Sequence, residues 1–278
     1  MPGPSGPLVS TDWLSRHLDE PDLRLADVRW YLGEPDRGRR AYREAHIPGA
    51  VYVDLETDLS ADEGPGRHPL PAWDVFAARM GELGFGDDSV VVAYDDRSGA
   101  VASRLWWMLR AIGHEQTYLL DGGLAAWVAD RHALIDGLAD HASGKLTVDL
   151  RSDLSIDRDE LRGRLDSVLA LDARAGERYR GETEPLDPVA GHIPGAVNAP
   201  YEDNLGSDGR FLPADELTEK YRALGVGERE TVVYCGSGVT ACHDLLALEH
   251  AGLGTAKLYP GSWSDWSTAG YEVATGPE

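Results

Sequence analysis

The chain has 278 residues, 42% of them hydrophobic, and its 26 Lys plus Arg stand against 48 Asp plus Glu, a formal charge of 26 − 48 = −22. That length is generous for one α/β domain and comfortable for two. The charge repels nucleic acid and anionic membrane surfaces, so neither is expected as a partner. No stretch reaches the roughly 20 apolar residues of a membrane span. The opening MPGPSGPLVS lacks the basic-then-apolar pattern of a secretory signal, and with two cysteines in the chain a reducing cytoplasm is the simplest setting.

In chain order, an apolar strand ends at Asp27 and runs through RWYLG into an Arg-rich loop. The segment HIPGAV follows at His46, then the loop VDLETDLSADEGPGRHPLP. Pro71 and an early acid predict a helix over Pro71–Leu83. The strand SVVVAY, the turn DDRSGA, a helix, a second strand and DGGLAAW complete the set. From Ala170 the same order returns: a strand ending at Asp172, an Arg-rich loop, HIPGAV at His192, a helix over Pro213–Leu224, the strand Thr231–Tyr234, a turn, a helix and PGSWSDW. A repeat of about 120 residues is too long for a solenoid unit and reads as tandem domains. Their expected limits are 8–132 and 155–276, with 133–154 as linker. Strands alternating with helices predict an α/β fold in each copy, a mainly parallel sheet with helices on both faces. In such sheets ligands sit beyond the carboxyl ends of the strands, where Thr231–Tyr234 delivers Cys235.

Cys235 opens the loop CGSGVT, ahead of a helical stretch from Ala241. Backbone N–H groups at a helix start lack intrahelical partners and can converge on one point. Gly236 and Gly238 permit the unusual backbone such a cradle needs, and Val239 and Thr240 close it. A sulfur at its centre is favoured as the reactive anion. In the first copy Asp95 stands where Cys235 stands. A carboxylate is no sulfur nucleophile, and Arg97 is expected to spoil the cradle, so that loop is expected to be inactive and to lend its domain as one wall of a shared site. Cys242, on the following helix, reads as a core thiol. His46 and His192 read as turn residues, and Trp30 and Trp263 as rim or core aromatics. No cluster has zinc-site spacing and no Gly-rich loop carries a P-loop Lys, so no metal or cofactor is expected.

The tandem order, the two HIPGAV segments, DVRWYLG, DGGLAAW and above all CGSGVTACH resemble the two-domain rhodanese family of sulfurtransferases over nearly the whole chain. The resemblance implies a Cys235 persulfide that takes sulfane sulfur from thiosulfate or 3-mercaptopyruvate. It then hands that sulfur to cyanide, a thiol or a sulfur-acceptor protein. It further implies that Ser237 donates a hydroxyl proton beside the sulfur, as in the mercaptopyruvate branch, supported by His68 and by Glu56 where the family has Asp. Arg178 matches the family arginine that reaches the donor's anionic end. The branch's second arginine is replaced here by Leu186, which leaves Arg174 or Arg180 to substitute. That absence tips the expectation narrowly towards thiosulfate.

Two rival readings carry their own tests. A Cys-dependent phosphatase needs Arg six positions after Cys, and Ala241 stands there. A sulfur-relay module that only accepts persulfide sulfur from a partner would show no steady-state turnover with a small donor.

Overall fold

The computed structural model describes Pro4 and residues 6–277. It divides into two compact units. The first takes the chain up to Ala61 together with Pro71–Arg151 and Ser207–Phe211; the second takes Asp62–Leu70, Ser152–Gly206 and the chain from Leu212 onwards.

The first unit is built on β1 (Leu8–Val9), β2 (Leu23–Asp27), β3 (Ala50–Tyr52), β4 (Val90–Tyr94) and β5 (Thr117–Leu120). All are parallel, in the order β1-β5-β4-β2-β3. Every residue of VVVAY in β4 is buried, as a central strand covered on both faces requires. Around the sheet lie α1 (Thr11–His17), α2 (Arg37–Glu44), α3 (Trp73–Glu82), α4 (Ala102–Ala111) and α5 (Gly123–Ala129). The helix expected from Pro71 starts at Trp73, because Ala72 holds an extended backbone (φ −57°, ψ 136°). Residues 135–151 run along this unit as an ordered strap. Ile135 bridges His46, and the amides of Gly144, Asp149 and Arg151 donate to the carbonyls of Gly81, Ile112 and Ala111.

The second unit contains α6 (Arg158–Arg164), β6 (Val168–Asp172), α7 (Gly176–Tyr179), β7 (Val197–Asn198), α8 (Ala214–Ala223), β8 (Glu230–Tyr234), α9 (Ala241–His250), β9 (Lys257–Leu258) and α10 (Ser262–Trp266). Its sheet is parallel in the order β7-β6-β8-β9. A single bridge from Ser155 to Leu258 stands where the first unit has its edge strand. Among the described residues no helix is long and apolar enough to cross a membrane.

Each sheet carries the same buried polar knot. Asp27 pairs with Tyr94 across β2 and β4, and Asp172 with Tyr234 across β6 and β8. Arg29 and Arg174 each grip the matching Asp through Nε and Nη2, the shortest contact being 2.6 Å in both. Burial pushes the Asp27 carboxyl up, with Arg29 opposing it. The two HIPGAV histidines also match. His46 stacks on Tyr42 and His192 on Tyr179, with ring centroids 4.1 and 3.8 Å apart. Each Nδ1 lies against the carbonyl of that tyrosine, so the repeated motif builds a turn.

Candidate active site

β8 ends at Tyr234 and α9 begins at Ala241, leaving Cys235–Thr240 as the connecting loop. The loop is pinned from one side by the start of α10. Ser262 Oγ accepts the Cys235 N–H at 3.1 Å, while the amides of Trp263 and Ser264 donate to the carbonyls of Cys235 and Gly236, both at 2.9 Å. Gly238 has φ +74°, and a Cβ there would lie 2.3 Å from the Pro260 carbonyl oxygen, so both backbone conformation and close approach demand glycine. Among the described residues the amides of Ser237, Val239, Thr240 and Ala241 donate to no other group. Cys235 is 2% exposed. Neither cysteine is in a disulfide, and the Cys242 thiol donates to the Gly238 carbonyl at 3.4 Å.

The first unit shows what such a loop holds. Asp95 Oδ1 accepts the N–H groups of Arg97 and Gly99, both at 2.8 Å, and Oδ2 accepts those of Val101 and Ala102 at 2.8 and 2.9 Å. Four amides thus converge on one negative group. This corrects the expectation that Arg97 spoils the cradle: its backbone amide is one of the donors, whatever its side chain does. Counting the same offsets from Cys235 gives the amides of Ser237, Val239, Ala241 and Cys242. The last is taken by the Val239 carbonyl at 3.1 Å, so three remain for an anion carried on residue 235.

His68 is brought to this loop although it lies in the sequence between the first copy's HIPGAV and its α3. Residues 62–70 belong to the second unit. Gly66, at φ +81°, is pressed so closely on Gly261 that a Cβ would lie 2.5 Å from its carbonyl oxygen. Beside it the Arg67 amide donates to Ser264 Oγ at 3.0 Å. This sets His68 Nδ1 2.8 Å from Ser237 Oγ, both residues being buried. Glu56, expected to support His68, belongs to the first unit. There its Oε1 accepts the Trp30 indole N–H at 3.0 Å.

The arginines separate by partner. Arg174 is a structural residue, which corrects its expected place in donor binding. Its nitrogens are consumed by Asp172, Glu184 and the Gly191 carbonyl, and its guanidinium lies 4.6 Å over the Trp263 ring. Despite desolvation, its pKa is raised further by Asp172. Arg180 pairs with the exposed Glu182 at 2.8 Å. Arg178 donates through Nη2 to Glu184 at 2.7 Å. Burial pushes the Glu184 carboxyl up, but Arg178 and the amides of Leu186 and Asp187 outweigh it and hold the group below its usual range. Arg67, which nothing in the sequence pattern singles out, is ion-paired with Asp187. Its only sequence signal was adjacency to His68.

Behind the loop, α9 carries a buried polar cluster. Asn204 Nδ2 donates to Asp244 Oδ1 at 2.7 Å, and Asn204 Oδ1 accepts from Lys220 and the Tyr221 hydroxyl at 2.8 and 2.9 Å. Asp244 Oδ2 has no hydrogen-bond partner. Burial raises the Asp244 pKa to about 7, with Lys220 and Asn204 opposing, and burial lowers that of Lys220. A carboxyl whose pKa is raised on folding gives stability at low pH that is lost as pH rises through the folded value. Asp244→Asn is therefore expected to gain on the wild type in urea midpoint as pH rises from about 4 to about 7. Curves that stay parallel across that range would contradict the assignment.

Two segments, 10–130 and 157–269, match the model of the rhodanese-like domain. A Pseudomonas aeruginosa protein named "Probable 3-mercaptopyruvate sulfurtransferase" is 49% identical over 272 residues, 95% of this chain and 96% of that protein. The 3-mercaptopyruvate sulfurtransferase of Escherichia coli K12 is 36% identical, covering 93% and 94% of the two chains. The Mycobacterium tuberculosis protein named "Putative thiosulfate sulfurtransferase SseB" is 42% identical, covering 88% of each. The crystal structure of SseA from Escherichia coli, a 3-mercaptopyruvate sulfotransferase by its description, superposes with a TM-score of 0.84 at 35% identity, over 94% of this chain and all of that one. The chain belongs to the rhodanese family, as a tandem pair of rhodanese-like domains. Among the described residues no group of three His, Cys, Asp or Glu is placed to hold a metal ion.

Proposed function

We propose that the protein is a sulfurtransferase that uses 3-mercaptopyruvate as donor and carries the sulfur as a persulfide on Cys235. The Cys235 thiolate attacks the donor's sulfur and the carbon–sulfur bond breaks. The electron pair leaves as the enolate of pyruvate, which takes up one proton. The donor thiol's own proton balances it, so the products are pyruvate and a Cys235 persulfide anion. In the second half a thiol or cyanide takes the outer sulfur and the thiolate returns. Splitting the transfer through a covalent carrier replaces one difficult step by two easier ones. The amides of Ser237, Val239 and Ala241 stabilise the anion in both states of the carrier. With neither cysteine in a disulfide, the protein suits a reducing compartment such as the cytoplasm.

The observation that carries this reading is the 2.8 Å contact between Ser237 Oγ and His68 Nδ1, two residues from the nucleophile. An enolate leaving group needs a proton, and a hydroxyl backed by imidazole supplies one. Thiosulfate needs none, because sulfite leaves with its electron pair. Ser237→Ala and His68→Gln are therefore expected to lower kcat with 3-mercaptopyruvate by about 10²-fold or more. With thiosulfate, kcat should stay within a few-fold. Steady-state pyruvate and sulfite release by the two variants checks this, and equal losses with both donors would remove the proton role. A second reading, with thiosulfate as the main donor, is favoured by Leu186 in the place of the family's second arginine. It predicts the higher kcat/KM for thiosulfate in the unaltered protein. Either donor turning over without a partner protein excludes a relay module.

A further inference from the structure

We infer that the cavity beside Pro260 and Gly261 is a binding site for a small organic cation, an ammonium or guanidinium on an apolar stem, and that its occupant acts on the catalytic loop. The second half rests on the proposed roles of Cys235 and His68; the first half does not.

The cavity has a volume of about 410 Å³, within the range of small-molecule sites, and every residue lining it belongs to the second unit. Its apolar wall is made by Leu70, Ile156, Tyr259 and Pro260. Two exposed acids at the start of α6, Asp157 and Asp159, also line it. Each has one oxygen engaged. Asp157 Oδ1 accepts the Glu160 amide at 2.8 Å, and Asp159 Oδ1 accepts the Tyr271 hydroxyl at 2.6 Å. Their Oδ2 atoms accept no hydrogen bond among the described residues. The third acid, Asp265, is taken by Arg158 and the Tyr259 hydroxyl. An apolar wall beside two open carboxylate oxygens suits a cation carried on an apolar stem.

The first unit shows what fills the corresponding corner. Thr11 and Arg158 each begin a seven-residue helix, and each helix is capped by the side chain before it, Ser10 or Asp157. Gly122 and Gly261 also match: two residues after each, an amide (Leu124 or Trp263) donates to the carbonyl of Asp95 or Cys235. In the first unit Arg210 lies across this corner. Its Cγ would be 3.0 Å from a Cβ on Gly122, and its Nη2 donates at 2.7 Å to Asp130 Oδ2, which also accepts the Thr11 hydroxyl. The matching stretch of the second unit is Gly66-Arg67-His68 against Gly209-Arg210-Phe211. There the arginine turns to Asp187 instead. The corner beside Gly261 is thereby left as a cavity, with acids for a cation that the chain itself does not place there.

The cavity shares its walls with the catalytic groups. Pro65 and Leu70, on either side of His68 in the chain, both line it. Gly66 is pressed on Gly261, and Gly238 on Pro260. An occupant braces these walls and so holds His68 against Ser237. It is expected to favour the donor whose leaving group needs a proton.

The test titrates 2-phenylethylammonium chloride into the full-length protein by calorimetry, with 2-phenylethanol and ammonium chloride as controls. A one-to-one complex with Kd of about 1 mM or tighter is expected, with neither control binding comparably. Asp157→Asn combined with Asp159→Asn keeps an acceptor for the cap and for Tyr271 while removing both charges. It should weaken binding by about three- to thirty-fold, the range for two part-exposed ion pairs. Crystals grown with the probe should show its ring between Leu70 and Tyr259 and its ammonium facing α6. At saturation, kcat with 3-mercaptopyruvate should rise a few-fold while kcat with thiosulfate stays unchanged. No binding, equal binding of 2-phenylethanol, binding that the double variant leaves untouched, or a probe found elsewhere in the crystal overturns the site. Binding with unchanged turnover overturns the action on the loop and leaves the site standing. If the double variant does not fold, Asp159→Asn alone decides. Absence of turnover in the unaltered protein removes the reading of Cys235, and calorimetry still decides the site.

Discussion

Cys235→Ser is expected to abolish sulfur transfer from both donors while leaving the fold intact. In the proposed mechanism the thiolate is the attacking atom and the seat of the persulfide, and a serine hydroxyl cannot hold a second sulfur under these conditions. The cost to stability should be small, within about 1 kcal/mol. The hydroxyl is a good acceptor for the loop amides, and the pins from Ser262, Trp263 and Ser264 hold the Cys235 and Gly236 backbone rather than the thiol. Thiocyanate formation from cyanide measures the first part, and urea unfolding the second. Intact mass after exposure to donor should show one added sulfur on the unaltered chain and none on the variant. Residual thiocyanate production above the uncatalysed rate would move the nucleophile elsewhere.

Asp95→Ala is expected to have the largest stability effect of any single change in the first unit's corresponding loop. It strips the acceptor from the amides of Arg97, Gly99, Val101 and Ala102 at once. An orphaned buried donor costs about 1–3 kcal/mol, so the sum is on the order of 4 kcal/mol or more, unless water enters the loop. With two units, unfolding is to be followed by a probe placed in each, since a single midpoint is ill-defined for such a chain. Only the first unit's transition should shift. Asp95→Asn should recover little, because its amide group turns a donor towards donors. A shift of less than about 1 kcal/mol in Asp95→Ala would mean that the cradle is not held together by its anion. It would also weaken the parallel drawn for Cys235.

The central strands, the duplication and the Cys235 loop were readable because each rests on local chemistry. Continuous apolar runs such as VVVAY signal a strand covered twice, and two glycines between strand and helix signal an anion cradle. The arginines were harder. RAGERYR, which reads as an Arg-rich loop, contains the short helix α7, and burial, invisible in sequence, decides which guanidinium is structural; Asp172 captures Arg174 outright. Arg67 sits in a Gly- and Pro-rich stretch without periodicity, and its position depends on contacts made nearly two hundred residues further along. The misjudgement of Arg97 had another cause: backbone amides form the cradle, so side-chain bulk at that position says nothing about it. Asp244 was passed over because an acid on a helix ordinarily marks a solvated face, and here it is fully enclosed by Asn204, Lys220 and Tyr221.

The stretch Asp62–Leu70 ties the two halves of the sequence together. In chain order it lies inside the first copy, yet it packs as part of the second unit. A fragment cut at Ser152 would keep the sulfur-bearing cysteine but forfeit both the imidazole and the guanidinium that this stretch contributes. Neither half of the sequence taken alone contains both Cys235 and His68.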